Sequence, residues 1–203
     1  FNLINSVKIL GGYPDIGNPT DAMRNFALYP TILTGEYGNQ ALLDDNAKHV
    51  VTGDNLSAQT ELNGFIIKRG YASTWPDGPD DFGGGGIFNN SSLKLKNNIF
   101  EENFSEAGGD ILYFYNGGSP IIENCVVTKN APGQHRHLIQ IDPSTQCKFY
   151  NSLFVDNNIN WPIILLNNTA SSFINCTFYN NISGSAVIKS TNNAVATISN
   201  TIF

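Results

Sequence analysis

From Leu95 to Phe203 the chain repeats one short phrase at nearly constant spacing, and that period limits the fold more than any other feature. The phrase runs apolar residue, any residue, Asn, two residues, Phe or Val, two residues, Asn. Its copies begin at Leu95, Ile122, Phe149 and Phe173, and a shorter fifth runs from Ile198 to Phe203. The first asparagines are Asn97, Asn124, Asn151, Asn175 and Asn200, giving steps of 27, 27, 24 and 25 residues. Phe100, Val127, Phe154, Phe178 and Phe203 step identically.

Short alternating apolar runs with Gly and Asn punctuation, and no helical period, predict one coil of a parallel β-solenoid per repeat. Each strand would pair with its equivalent one coil away, about 4.8 Å distant. Leu95, Ile122, Phe149, Phe173 and Ile198 then form one apolar ladder, and the Phe/Val positions form another. The column Asn97, Asn124, Asn151, Asn175 and Asn200 is expected to bond within itself and to the turning backbone, because a buried amide is costly unless satisfied. Asn also tolerates the left-handed conformation of a sharp corner. Leucine-rich repeats fit less well, since Asn and Phe rather than Leu hold the periodic sites.

The expected class is therefore all-β, with residues 1–203 forming one elongated domain of about eight coils. Charged residues are only 14% of the chain, and 28 asparagines replace them as surface polar groups. A net charge of −6 argues against nucleic acid and against an anionic membrane surface. No apolar run is long enough to cross a bilayer. Of the three cysteines, Cys125 and Cys176 share one column two coils apart, roughly 9 to 10 Å and beyond disulfide reach. Cys147 falls in the preceding strand, and no metal-ligand spacing is present. The chain opens in mid-strand and closes inside a repeat phrase, as a fragment of a longer protein would.

The N-terminal half keeps the pattern with interruptions. Ser6 to Tyr13 reads as a strand ending at Gly11 and Gly12, and Thr20 to Leu28 as a turn or two of helix capped by Thr20. Strands return at 30–35 and 49–53 around a loop at 36–48. Residues 60–67 match the repeat with Gly64 in place of Asn. From Ile67 to Phe100 the step widens to 33, which places an insertion at 70–82. That insertion carries Trp75, Asp77, Asp80 and Asp81, and is the least scaffold-like segment of the chain.

These residues suggest a site only loosely. Asp77, Asp80 and Asp81 could bind calcium or another ligand, or form a solvated turn. Trp75 and Trp161 could stack on sugar rings or pack over loops. His135 and His137 flank Arg136 on alternate positions without a third ligand. Asp44, Asp45, Lys68 and Arg69 do not assemble into a catalytic motif. The sequon at Asn167 to Thr169 matters only in a eukaryotic secretory pathway. No catalytic residue, metal ligand or cofactor is assigned, calcium apart as a possible ligand.

Gly84, Gly85, Gly86 and Ile87, with Phe100 to Asn103, Phe154 to Asn157 and Phe178 to Asn181, resemble the GGA(I/L/V) and FxxN repeats of polymorphic outer-membrane protein adhesins. The wider order of 7–13, 29–35, 62–67, Gly70 and 84–87 is closer to the right-handed parallel β-helix repeat surface proteins of Bacteroidetes-type bacteria. That resemblance spans essentially the whole chain. It implies a right-handed parallel β-helix and a non-enzymatic stalk or adhesin at the cell surface, carried across the outer membrane by type IX secretion. It also implies partners among the secretion or anchoring machinery and among glycans or host ligands. The same fold class houses polysaccharide lyases and glycoside hydrolases. An enzyme of that kind, with its site on loops 36–48 and 71–83, is the alternative expectation.

Overall fold

The computed structural model describes residues 1–72, 81–130 and 137–203, and these form a parallel β-helix of three sheets around one apolar core. Every pairing between strands is parallel and joins equivalent residues of successive coils. The first sheet stacks Lys8–Leu10, Glu61–Asn63, Lys94–Lys96, Ile121–Glu123, Lys148–Tyr150, Ala170–Ile174 and Val195–Ser199. The second stacks Thr31–Thr34, Phe65–Lys68, Ile99–Glu101, Val126–Thr128, Leu153–Val155 and Thr177–Tyr179. The third stacks Val51–Asp54, Gly86–Asn89, Leu112–Tyr115, Ile139–Ile141, Ile164–Asn167 and Ile188–Thr191. The longest sheet has seven rungs, not the expected eight or so, because one coil between Lys8–Leu10 and Glu61–Asn63 spends two loops, 11–30 and 35–50.

Register follows the repeat. Ile67 pairs with Phe100, which pairs with Val127, then Phe154, then Phe178. Successive rings lie face to face, with centroids 4.4 Å apart for Phe154 and Phe178 and 4.8 Å for Phe149 and Phe173. Such contacts contribute about 0.5–1.5 kcal/mol each beyond the area they bury. The ladders open at the last rung: Phe178 is 4% exposed and Phe203 59%.

The asparagines divide into two kinds. Asn97, Asn124, Asn151, Asn175 and Asn200 all turn the corner between the first and second sheets with φ of 49–55°, as the left-handed expectation requires. Gly64 occupies the same column at φ 88°. Amide bonds join Asn97 to Asn63, Asn124 to Asn97 and Asn175 to Asn151 at 3.0–3.3 Å. Yet this column lies at the surface, half-buried at Asn97 and exposed from Asn124 onward. The asparagines that need satisfying are those that end the phrase, Asn103, Asn130 and Asn157, at 0–3% exposure. Each turns its side chain inward and replaces missing backbone partners. Asn157 donates from Nδ2 to Val127 O, Val155 O and Asn181 Oδ1, and its Oδ1 accepts from Asn130 N at 3.1 Å. Asn130 and Asn103 repeat the arrangement one and two coils earlier.

Cys125 and Cys176 belong to a third column, whereas Cys147 precedes the strand Lys148–Tyr150, level with Ser171. Asn98, Cys125, Ser152, Cys176 and Thr201 follow the corner asparagines, and Ser152 Oγ accepts from Cys125 N at 3.2 Å. All three thiols are free and buried. At the N-terminal end the expected helix over 20–28 is reduced to a 3₁₀ turn at Asp21–Met23, and Thr20 makes no side-chain cap. The chain there is held instead by Arg24, which donates to Gly11 O at 2.8 Å and to Asn63 O at 2.9 Å, with its guanidinium over the Phe26 ring.

Removing one inward amide orphans several buried backbone groups, each worth about 1–3 kcal/mol. Asn157→Ala is therefore expected to lower unfolding free energy by about 3–5 kcal/mol. Asn124→Gly, which keeps the left-handed turn and loses one surface bond, should cost under about 1 kcal/mol. Urea midpoints of the two variants check the difference.

Candidate functional site

The corner between the second and third sheets and the adjoining outer face of the third sheet carry the features that the scaffold does not require. Apart from 11–30, which leaves between the first and second sheets, the long excursions of the described residues leave the coil at this corner, 35–50 and 102–111 among them. Two short ladders, Tyr71–Ala72 with Phe104–Ser105 and Asn158–Ile159 with Ile182–Ser183, brace the loop bases. Glycines permit the crossing. A Cβ on Gly70 would collide with Gly84 O, and one on Gly84 with Phe104 O.

Trp75, Asp77 and Asp80, with His135 and Arg136, lie outside the described residues. Asp81 is 2% exposed, and its carboxylate lies 3.8 Å from Lys48 Nζ while its carbonyl accepts from Ser105 Oγ. It ties the insertion to the coil. Trp161 is 44% exposed, with its ring edge-on to His137 at 6.0 Å. Asp45 turns into its own loop and accepts from Asn39 N at 2.7 Å. The Tyr71 hydroxyl donates to Glu106 at 3.3 Å, and Asp44 adds a smaller electrostatic influence on it. Burial, then these two carboxylates, raise the Tyr71 pKa.

On the outer face of the third sheet, Tyr113 and Tyr115 point outward from one strand with rings 4.9 Å apart and 4° from parallel. Phe82, from the end of the insertion, stacks on the other side of Tyr113 at 4.5 Å. The Tyr113 hydroxyl donates to Asp142 Oδ2 at 2.5 Å, and Gln140 and Asn167 donate to Asp142 Oδ1 at 3.2 Å. Burial first, then the bond to Asp142, pushes the Tyr113 pKa far up, so the phenol stays protonated. Below Tyr115 the same column continues as Asn89 and Asp54, joined by an amide bond of 2.6 Å. Tyr115, Asn89, Asp54, Thr52, Ile87 and His49 line a cleft of 570 Å³. His49 is fixed at its back by a 3.0 Å contact from Nδ1 to Gly83 O.

Asp54 and Asp142 are the carboxylates on this face, three rungs apart and on the order of 14 Å. Glycoside hydrolases place their two carboxyl groups within about 5–9.5 Å. Asp142 is in addition engaged by three donors. Among the described residues no group of three or more His, Cys, Asp or Glu side chains is placed to hold a metal ion. The arrangement presents aromatic faces beside fixed amide and carboxylate groups, which suits binding of a polyhydroxylated surface.

No protein-family model, curated protein or solved structure matches the chain.

Sequence reasoning missed Phe82, Tyr113 and Tyr115. Residues 111–115 read as an unbroken apolar run, and only the inward placement of Leu112 and Phe114 shows that the two tyrosines point out. It also missed Asp110, which stands one rung from His137 at the corner, 2% exposed, with no hydrogen-bond partner for its Oδ1 among the described residues. Burial raises its pKa well above the usual carboxylate range, against a smaller lowering from a Ser105 backbone hydrogen bond.

Since the folded state holds the Asp110 proton more tightly than the unfolded chain, stability falls as pH climbs from about 4 through the raised folded pKa. Asp110→Asn should flatten that decline and raise the melting midpoint at neutral pH, with about 2–4 °C for each kcal/mol recovered. Thermal melts of both proteins from acid to neutral pH check the sign.

Proposed function

We propose that the chain is a non-enzymatic extracellular bacterial surface protein, a stalk or adhesin, that contacts glycans along the outer face of its third sheet. The carrying observation is the cleft walled by Tyr115, itself braced by Tyr113 and Phe82, with Asn89, Asp54 and Thr52 on its floor. Aromatic rings offer sugars an apolar face, and planar amides and carboxylates bond hydroxyls in fixed directions. The column repeats at rung spacing toward Asp142 and Asn167, so a chain ligand can lie across several coils. Trp161 stands farther along the same flank.

An extracellular setting suits the cysteines. Burial pushes the Cys125 thiol up to about 12 and the Cys147 thiol well above its ordinary value, so neither offers a reactive thiolate. No described helix is long and apolar enough to cross a membrane. The resemblance of 7–13, 29–35, 62–67, Gly70 and 84–87 to β-helix surface proteins of Bacteroidetes type supports export by a type IX route.

Arrayed neutral and acidic glycans test the reading directly. Binding is expected for the wild-type chain, to weaken at least about tenfold in Tyr115→Ala and to fall less in Trp161→Ala. Neither new reducing ends nor unsaturated products are expected with or without calcium. Turnover of any glycan, or binding indifferent to Tyr115→Ala, would overturn the proposal.

A further inference from the structure

Three columns of left-handed residues turn the chain, and one of them is unlike the other two. The first-to-second corner uses Gly64, Asn97, Asn124, Asn151, Asn175 and Asn200. The third-to-first corner uses Asn55, Asn90, Asn116, Asn168 and Asn192. The second-to-third corner uses Arg69, Glu102, Lys129, Asp156 and Asn180, at φ of 59, 54, 53, 56 and 50°. Glycine and asparagine enter this conformation easily, whereas other L-residues do so at roughly 1–2 kcal/mol each. The corner bonds are also longer here. Arg69 N to Glu102 O and Glu102 N to Lys129 O measure 3.2 and 3.3 Å, against 3.0 Å along the Asn97 column.

Mutual ion pairing does not account for the charges. Opposite charges on the sheet faces do close on one another, as Lys96 and Glu123 do at 3.1 Å. Of the five residues in this corner column, only Arg69 forms an ion pair among the described residues, with Glu36 of the 36–48 loop at 2.7 Å. Arg69 also donates to Gln40 O at 2.8 Å, so it holds the loop in place as a wall. Glu102, Lys129 and Asp156 instead line a cavity of 440 Å³ with Leu43 and Phe104. The Phe104 ring is backed by Tyr71, with centroids 4.9 Å apart.

A volume of this size lies within the small-molecule range. Leu43 and Phe104 supply its apolar wall, and its charged rim runs acid, base, acid, with the Lys129 backbone one rung, about 4.8 Å, from those of Glu102 and Asp156. We propose that this cavity binds a small zwitterion with an apolar body, of the class of an apolar α-amino acid. The ligand carboxylate pairs with Lys129, its ammonium pairs with Glu102 or Asp156, and its side chain lies between Phe104 and Leu43. The cavity is separate from the third sheet's outer face, so this assignment stands or falls independently of glycan binding.

Isothermal titration with L-phenylalanine, 2-phenylethylamine and 3-phenylpropanoate tests the assignment, because the latter two each lack one charge. L-Phenylalanine is expected to bind at least about tenfold more tightly than either. Lys129→Gln should cost L-phenylalanine about tenfold and leave 2-phenylethylamine unchanged, with no change in melting temperature. Leu43→Glu, on a loop away from the rungs, should abolish binding of L-phenylalanine and 3-phenylpropanoate. No binding of L-phenylalanine, equal binding of it and 2-phenylethylamine, or affinity indifferent to both substitutions would overturn the assignment.

Discussion

The whole molecule depends on parallel pairing in strict register, which places each residue about 4.8 Å from its equivalent in the next coil. Under that constraint a side chain is judged by whether it can stand on a near copy of itself. Phenylalanine can, face to face, and so can asparagine, whose amide is donor and acceptor at once. Like charges cannot. Where lysine and glutamate appear on the faces they alternate: Lys68 meets Glu101, and Lys96 meets Glu123. Each such surface pair is worth well under about 1 kcal/mol. Its larger effect is on register, since a one-residue slip would also turn the apolar ladders outward.

The first asparagine column was legible because its members recur beside an apolar residue at near-constant spacing, and their left-handed backbone follows from that placement. What could not be read was which asparagine faces inward. Asn124 and Asn130 belong to the same phrase, yet the first lies on the surface and the second is 3% exposed. The difference is whether the chain bends around the side chain or away from it, and the spacing is the same either way. The third-to-first corner was hidden for another reason. Pro143 interrupts its column between Asn116 and Asn168, and the strands of the third sheet follow loops of unequal length.

For the site, the sequence pointed to a loop and not to the aromatic residues that stand on the neighbouring face. Residues 70–82 stood out through an uneven step, and their flanks at Ala72 and Asp81 do sit where the long loops gather. Asp81, however, is tied inward by Lys48 and Ser105. The aromatic wall comes from Tyr113 and Tyr115, inside a five-residue apolar run, 111–115, that gave no hint of which side meets solvent. Local charge density found the loop, and only the pleat could assign the face.

That the loops other than 11–30 gather at one corner has a mechanical origin. Between the first and second sheets the chain passes from Lys96 to Ile99 through Asn97 and Asn98 alone, and Asn98 is buried with its amide bonded to Leu62 O and its Oδ1 accepting from Phe65 N. Past the first coil, where 11–30 leaves the rung, an insertion there would break a buried hydrogen-bonded column. Between the second and third sheets the chain first leaves the rung through 102–111 or 35–50, and the inward asparagines Asn103 and Asn130 have already sealed the core behind it. Once those amides close the coil, the outer residues are free of the core's demands. Charged residues in left-handed positions, unequal loops and exposed aromatics can therefore collect on this flank while the stack continues beneath them.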